Sequence, residues 1–270
     1  MKSSLDSVWE NEMNFVDSHC HLNDERFKDN VDEVVASSFK AGVTTILVVG
    51  YDLESSLKAI EIASRHEGVY AAIGFHPENL ENVSDDNLNK IKELCKNPKV
   101  IAIGEIGLDY HWYKEQKDRD NQKIWFIKQL KMVDELGLPV SIHCREAVQD
   151  TFDILKEYTP QAKGVLHCYS GSVEMMKEFE KLGYYFGFDG PITYKNSIVP
   201  KQCVKEVSID RILSETDCPY LPPVPFRGQT NYPEYIPYIV RQMSEIKEIS
   251  LDILSKKIQD NFNKLFHVKP

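Results

Sequence analysis

The chain has no CxxC pair, no low-complexity tract, no excess of basic charge and no run of about 18 apolar residues, and each absence removes a class of protein. Six cysteines (Cys20, Cys95, Cys144, Cys168, Cys203, Cys218) are spread singly over 270 residues, which is not the framework of a small disulfide-stapled fold. Reduced thiols are expected. With no long apolar run, and with a polar, acidic opening stretch MKSSLDSVWENEMN, the expectation is a soluble, cytoplasmic protein with no membrane partner. Lys and Arg number 32 against 42 Asp and Glu, a net charge of −10, so no global positive field attracts nucleic acid. A polyanionic substrate would have to be held locally, by a metal or by a few placed cations. Also missing is the glycine-rich phosphate loop that a doubly wound open sheet carries after its first strand. FVDSHCHL (15–22) stands there instead.

What is present is a repeated pattern. Short apolar runs occur at 14–18, 43–49, 69–74, 100–104, 139–143, 164–168, 184–188 and 211–215. They are continuous rather than alternating, as expected of parallel strands covered by helices. Between them, segments such as 30–42, 53–68 and 119–137 carry apolar residues three and four apart and end near a glycine, a common helix stop. Eight such units in this length fit an α/β fold of the closed (β/α)₈ TIM-barrel type. The expected organisation is an N-terminal extension (1–13) and one barrel domain (14–270), in which two amphipathic stretches, 233–247 and 250–266, are extra C-terminal helices closing the outer layer.

The polar residues fall where barrel enzymes keep their chemistry, at the C-terminal ends of the predicted strands. His19 and His21 end the first, Glu105 the fourth, His143 the fifth and His167 the sixth, and Asp217 follows the eighth. Residues two apart on a strand point to the same side, so His19 and His21 can share an ion while Cys20 points away. By the same alternation Cys144 and Cys168 should face the strand–helix packing, as small hydrophobes. Four imidazoles and two carboxylates exceed what one ion with an open position needs and suit two or three. Glu105, flanked by Gly104 and Gly107, is the natural bridge. Two ions roughly 3.5–4 Å apart bind a phosphate oxygen, activate water and stabilise a leaving oxygen, which is hydrolytic chemistry. Singly, each residue has an ordinary alternative: a satisfied strand-end histidine, an ion-paired glutamate, an aspartate opening a turn before Cys218-Pro219. Six at one mouth favour the metal reading.

The stretches DSHCHL (17–22), GFHP (74–77), GEIGLDY (104–110), IHCREA (142–147), HCYSG (167–171), GPITYK (190–195) and ETDCPYLPP (215–223) follow in an order that resembles the TatD family of metal-dependent deoxyribonucleases, within the amidohydrolase-like barrels. The resemblance runs from about residue 14 to the C-terminus. It implies that His19, His21, Glu105, His143, His167 and Asp217 are divalent-metal ligands. It also implies hydrolysis of phosphodiester bonds in DNA with Mg²⁺ as the usual activator, Mn²⁺ or Zn²⁺ being the alternatives, and Asp217 doubling as proton acceptor for the attacking water. Beside these ligands, His76 is a candidate donor to a phosphate oxygen, Glu215 a candidate catalytic carboxylate that orients water or a ligand, and Asp17 a candidate acceptor for an imidazole N–H. Arg145, Lys195 and Arg227 are candidate phosphate-binding cations, each with a solvated surface cation as its plain alternative. The chain departs from the family's pattern at His143-Cys144-Arg145, where a threonine often stands second, at Tyr169, and at Asn231-Tyr232-Pro233.

The leading expectation is therefore a DNase acting on single strands or chain ends. Two rivals stand beside it. An amidohydrolase or aminoacyl-tRNA ester hydrolase would use the same ligands, and a non-catalytic interaction module is disfavoured because the ligand set is complete.

Overall fold

A computed structural model describes residues 13–269, so most of the expected N-terminal extension lies outside the described residues. The eight predicted strands are all present: β1 (Phe15–Cys20), β2 (Val43–Val49), β3 (Val69–Ile73), β4 (Val100–Asp109), β5 (Val140–Arg145), β6 (Gly164–Leu166), β7 (Tyr185–Phe188) and β8 (Ile212–Ser214). They pair in sequential order, every neighbour parallel. Helices return the chain between them: α1 (Val31–Lys40), α2 (Leu53–Arg65), α3 (Asp85–Leu94), α4 (Gln116–Leu136), α5 (Val148–Glu157), α6 (Val173–Leu182) and α7 (Ile198–Glu206). Two more, α8 (Ile236–Lys247) and α9 (Leu251–Phe266), follow β8. This is a TIM barrel. Among the described residues no helix is long and apolar enough to cross a membrane.

Local chemistry explains the elements. The strands are apolar throughout because both their faces are covered; all ten residues of β4 are buried. At the start of α2 the Asp52 carboxylate accepts the Ser55 N–H at 2.8 Å and the Ser55 hydroxyl returns to the Asp52 N–H at 2.9 Å, a reciprocal cap that supplies about 1 kcal/mol. Gly137 ends α4 in the left-handed region, φ +65°, where a side chain is disfavoured. The barrel closes between β8 and β1. There the Ser214 hydroxyl donates to the Val16 carbonyl at 2.6 Å, and beyond the strand ends the Asp217 N–H reaches the His19 carbonyl at 2.9 Å. Helix α9 packs over this seam against both strands, and its Asn261 amide donates to the carbonyls of Ile209 and Ile212 at 2.9 Å each.

Two strands differ from the sequence expectation in a way that shapes the mouth. β4 and β5 run to Asp109 and Arg145, beyond Glu105 and His143, so these two residues sit inside strands rather than at their ends. The pairing register also shifts between Ile103 and Ile106 and between Asp17 and Cys20, the places where Glu105 and His19 lie. Such irregularities re-aim side chains and are common beside functional sites.

Candidate metal centre

Glu105 is the hub. Its side chain is nearly fully buried, and Oε1 lies 2.6 Å from His167 Nε2, 2.7 Å from His143 Nδ1 and 3.4 Å from His76 Nε2. Oε2 lies 3.5 Å from the Nε2 atoms of both His19 and His21. Asp217, left-handed at φ +54°, brings Oδ1 to 3.4 Å from His21 Nε2 and 3.8 Å from His19 Nε2. All six sequence-predicted ligands thus converge, and His76 joins them. The donor atoms fall into three overlapping triplets: His19, His21 and Asp217; His19, Glu105 and His167; His76, Glu105 and His143.

Outer hydrogen bonds set which nitrogen of each ring faces this hub. His21 Nδ1 donates to the Val49 carbonyl at 2.9 Å and His143 Nε2 donates to the Asp109 carboxylate at 2.9 Å, leaving lone pairs on His21 Nε2 and His143 Nδ1. His76 is the reverse. Its Nδ1 accepts the Glu78 N–H at 3.1 Å, so the neutral ring carries its proton on Nε2 and donates toward Glu105. Sterically His76 completes a triplet, but its tautomer suits a hydrogen-bond donor rather than a ligand.

The fit to divalent cations follows from atoms facing each other with nothing favourable between them. His143 Nδ1 opposes His167 Nε2 at 3.2 Å, and His19 Nε2 opposes His21 Nε2 at 3.3 Å, nitrogen against nitrogen. A lone pair on His143 Nδ1 against Glu105 Oε1 at 2.7 Å is repulsive unless a proton or a cation is shared. The electrostatics give the same answer. Burial lowers the His143 imidazole, but the Asp109 and Glu105 carboxylates outweigh it and raise the group to about 10, so in cation-free protein a proton takes the ion's place. Burial likewise pushes Glu105 up, yet the surrounding imidazoles hold its carboxyl well below the usual range. Asp217, similarly opposed by burial, is lowered by His21. One buried and one half-buried carboxylate ringed by imidazoles are a cation site by composition.

Three other expectations are corrected by the side-chain positions. Asp17 meets no imidazole: its carboxylate accepts the Thr216 N–H at 2.9 Å and the Thr216 hydroxyl at 2.6 Å, fixing the turn that carries Asp217. Glu215 is fully buried and does not line the cavity; it accepts the Cys168 N–H and, at 3.4 Å, the Ser18 hydroxyl. It stands behind His167, its Oε1 3.8 Å from His167 Nδ1, where it can orient that ring but cannot reach water in the cavity. Cys20 does point away, its thiol toward the Leu47 carbonyl at 3.4 Å, but Cys144 and Cys168 are half-buried in the cavity wall. Strict alternation fails for Cys168 because β6 stops at Leu166 and Cys168 adopts φ +42°, whereas Cys144 keeps it: the residue borders the cavity while its thiol meets Thr151 of α5, in the strand–helix packing.

The centre floors a cavity of about 660 Å³. Of the three candidate phosphate cations only Arg145 lines it; Lys195 is exposed elsewhere, and Arg227 stacks its guanidinium 4.2 Å from the Tyr194 ring. Sequence reasoning missed two buried carboxylates beside the centre, Asp109 behind His143 and Asp189 in the cavity wall. Asp109, which orients His143, sits four residues from Glu105 on the same strand face, so the even spacing in GEIGLDY was the available signal. Asp109→Asn is expected to weaken metal affinity 10–100-fold, read by calorimetry, because the amide still accepts from His143 but no longer as an anion. The other is Asp189, buried at the end of β7 with Oδ2 lacking a hydrogen-bond partner. Burial and the nearby Asp217 charge raise it from 3.8 to about 7. An acid that binds its proton more tightly when folded loses stability as pH rises through that interval, so the Asp189 penalty is absent near pH 4 and complete above pH 7. Asp189→Asn should therefore raise the urea midpoint at pH 8 and leave it nearly unchanged at pH 4.5, with an upper bound of about 4 kcal/mol; equal shifts at both pH values would contradict this.

A parallel (β/α)₈ barrel with a histidine–carboxylate cluster at one mouth is the architecture of a metal-dependent hydrolase. The family model described as TatD related DNase matches residues 16–267, and the chain belongs to the TatD family of metal-dependent hydrolases. The uncharacterized metal-dependent hydrolase YabD of Bacillus subtilis is 42% identical over 253 residues, covering 93% of this chain and 98% of that protein. YcfH of Escherichia coli, likewise an uncharacterized metal-dependent hydrolase, is 34% identical over 95% of this chain and 97% of its own length. Among solved structures, the TatD homologue YjjV of Escherichia coli superposes with a TM-score of 0.89 at 30% identity, covering 94% of this chain and 98% of that one.

Proposed function

We propose that this protein is a metal-dependent deoxyribonuclease that removes nucleotides from single-stranded or frayed DNA ends, with Mg²⁺ as its ion. The observation that carries the reading is the charge of the cavity wall: four carboxylates (Glu78, Glu105, Asp189, Asp217) and a single Arg or Lys, Arg145, line it. A wall of that kind repels a long polyanion, whose non-specific binding rests on many Lys and Arg contacts, and admits one or two phosphates that the ions neutralise. Chain ends meet that condition.

His19, His21, Glu105, His143, His167 and Asp217 would hold two or more divalent ions, which when bound polarise a phosphoryl oxygen and lower the pKa of a water. The chain's own groups do the rest. His76 presents Nε2–H toward the hub and donates to a phosphate oxygen there. Arg145 pairs with an adjacent phosphate from the rim. Asp217, ionised and at the cavity floor, accepts the proton of the attacking water. Glu215 keeps His167 in place through the Cys168 backbone.

The test is release of mononucleotides from end-labelled single-stranded and blunt duplex DNA by metal-stripped protein, with Mg²⁺ added back, beside an aminoacyl ester and a simple amide. Mg²⁺-dependent trimming of the single strand, slower on the duplex, supports the reading. Faster turnover of the ester or amide than of any nucleotide linkage would move the chain to the amidohydrolase side.

A further inference from the structure

We infer that Trp112 and Arg145 form a subsite for one unpaired nucleobase beside the metal centre, so that substrate is selected by a stacked base as well as by its phosphate. This rests on the nuclease reading and names what that site recognises. Trp112 is 65% exposed, yet it lines the same cavity as His76, Glu105 and His143. A large apolar ring left open at a metal-containing mouth is a binding surface, since leaving an indole in water forfeits its burial free energy.

Trp112 is held from beneath rather than covered. Its backbone N–H points to Asp109 Oδ1 at 3.4 Å, the same carboxylate that orients His143 and that accepts the His111 N–H at 2.8 Å. The next residue, Tyr113, is tied to the β3–α3 connection by its hydroxyl, 3.2 Å from the Glu78 carbonyl. His111 meets the indole edge-on with centroids 4.5 Å apart. The loop is thus fixed before any ligand arrives, which reduces the ordering cost of stacking. Arg145, at the end of the neighbouring strand, holds its guanidinium carbon 5.7 Å from the indole centroid. The cation lies over one side of an indole that stays mostly exposed, so a phosphate-binding group adjoins an aromatic surface open to a base, the pairing that a nucleotide requires. In the sequential order of the barrel, the β4 and β5 loops that carry them lie across the mouth from the loop after β8, where Tyr220 and Leu221 form the far wall. A base-paired terminus presents no free face to Trp112, so the subsite favours an unpaired end.

The test is calorimetric binding of dAMP and of deoxyribose 5-phosphate to the full-length protein in Mg²⁺, with indole fluorescence followed in parallel. Trp112→Ala is expected to weaken dAMP about tenfold and to leave the base-free sugar phosphate unchanged, while Trp112→Phe keeps dAMP within about threefold. The dAMP-induced fluorescence change should vanish in Trp112→Phe, which places the contact at this residue. Arg145→Ala should weaken both ligands alike. Equal affinity of the wild type for the two ligands, or an equal loss on both in Trp112→Ala, overturns the base subsite while leaving a phosphodiesterase intact. Failure of both ligands to bind in Mg²⁺ overturns the subsite together with the nuclease reading beneath it.

Discussion

Glu105→Gln should lower metal-dependent hydrolysis of single-stranded DNA by about a thousandfold or more and reduce the number of divalent ions bound per chain, whereas Glu215→Gln should lower it by less than about tenfold. The two glutamates are equally hidden from solvent, so burial does not separate them. Charge does. Glu105 faces His19, His76, His143 and His167, which overcome the burial penalty and keep it ionised; a neutral amide there would supply no charge to offset divalent cations or the imidazoles. Glu215 has the opposite surroundings. Burial and then the neighbouring carboxylates of Asp189, Asp217 and Asp17 push its carboxyl well above the ordinary range, so a neutral side chain is tolerated there far better than at Glu105. Gln keeps the acceptor that the Cys168 N–H needs, and the change is close to isosteric. Equal losses in the two variants would remove the distinction between a carboxylate of the metal centre and a positioning group. Inductively coupled plasma measurement of bound metal gives a readout independent of substrate, so an unsuitable substrate cannot mask the result.

That contrast also marks how far the sequence could be read. The strands were legible because a parallel sheet covered by helices needs apolar residues at nearly every position, and β2, β3 and β4 have them. The ligands were legible because His and Glu interrupt those runs where nothing apolar would place them. What could not be read were properties of the third dimension. Glu215 and Asp217 are two residues apart and look like one carboxylate pair, yet the left-handed turn at Asp217 sends one into the cavity and leaves the other behind it. Arg145, Lys195 and Arg227 are alike in sequence and differ only in which loop folds over the mouth. Asp109 was hidden because an aspartate following apolar residues reads as the end of a strand, whereas β4 runs on through Glu105 to Asp109 and delivers its carboxylate to His143. Trp112 carries no motif at all; its significance comes from exposure beside a metal site, which no linear pattern records.

The second large effect is expected at Gly107, which holds no charge and touches no ion. Gly107 adopts φ +147°, a conformation side chains rarely take, and pairs across β4 and β5 with His143. A Cβ built there would lie 2.0 Å from the His143 carbonyl oxygen, 2.9 Å from its carbonyl carbon and 3.0 Å from its nitrogen, all backbone atoms that cannot rotate aside. Relief requires β4 and β5 to separate at the point where they carry Glu105 and His143. Backbone strain and overpacking each contribute about 1–3 kcal/mol, so Gly107→Ala should destabilise by roughly 3–5 kcal/mol in urea unfolding. Metal affinity should fall with it, because the shift moves one ligand relative to the hub. Gly137→Ala is the matched control: φ is again positive, +65°, but nothing lies within 4 Å of the added Cβ, and only the conformational cost of about 1 kcal/mol remains. A Gly107→Ala protein as stable as the Gly137→Ala control would show that β4 and β5 can part freely. The close packing of these strands would then not be what holds Glu105 and His143 at 2.7 Å.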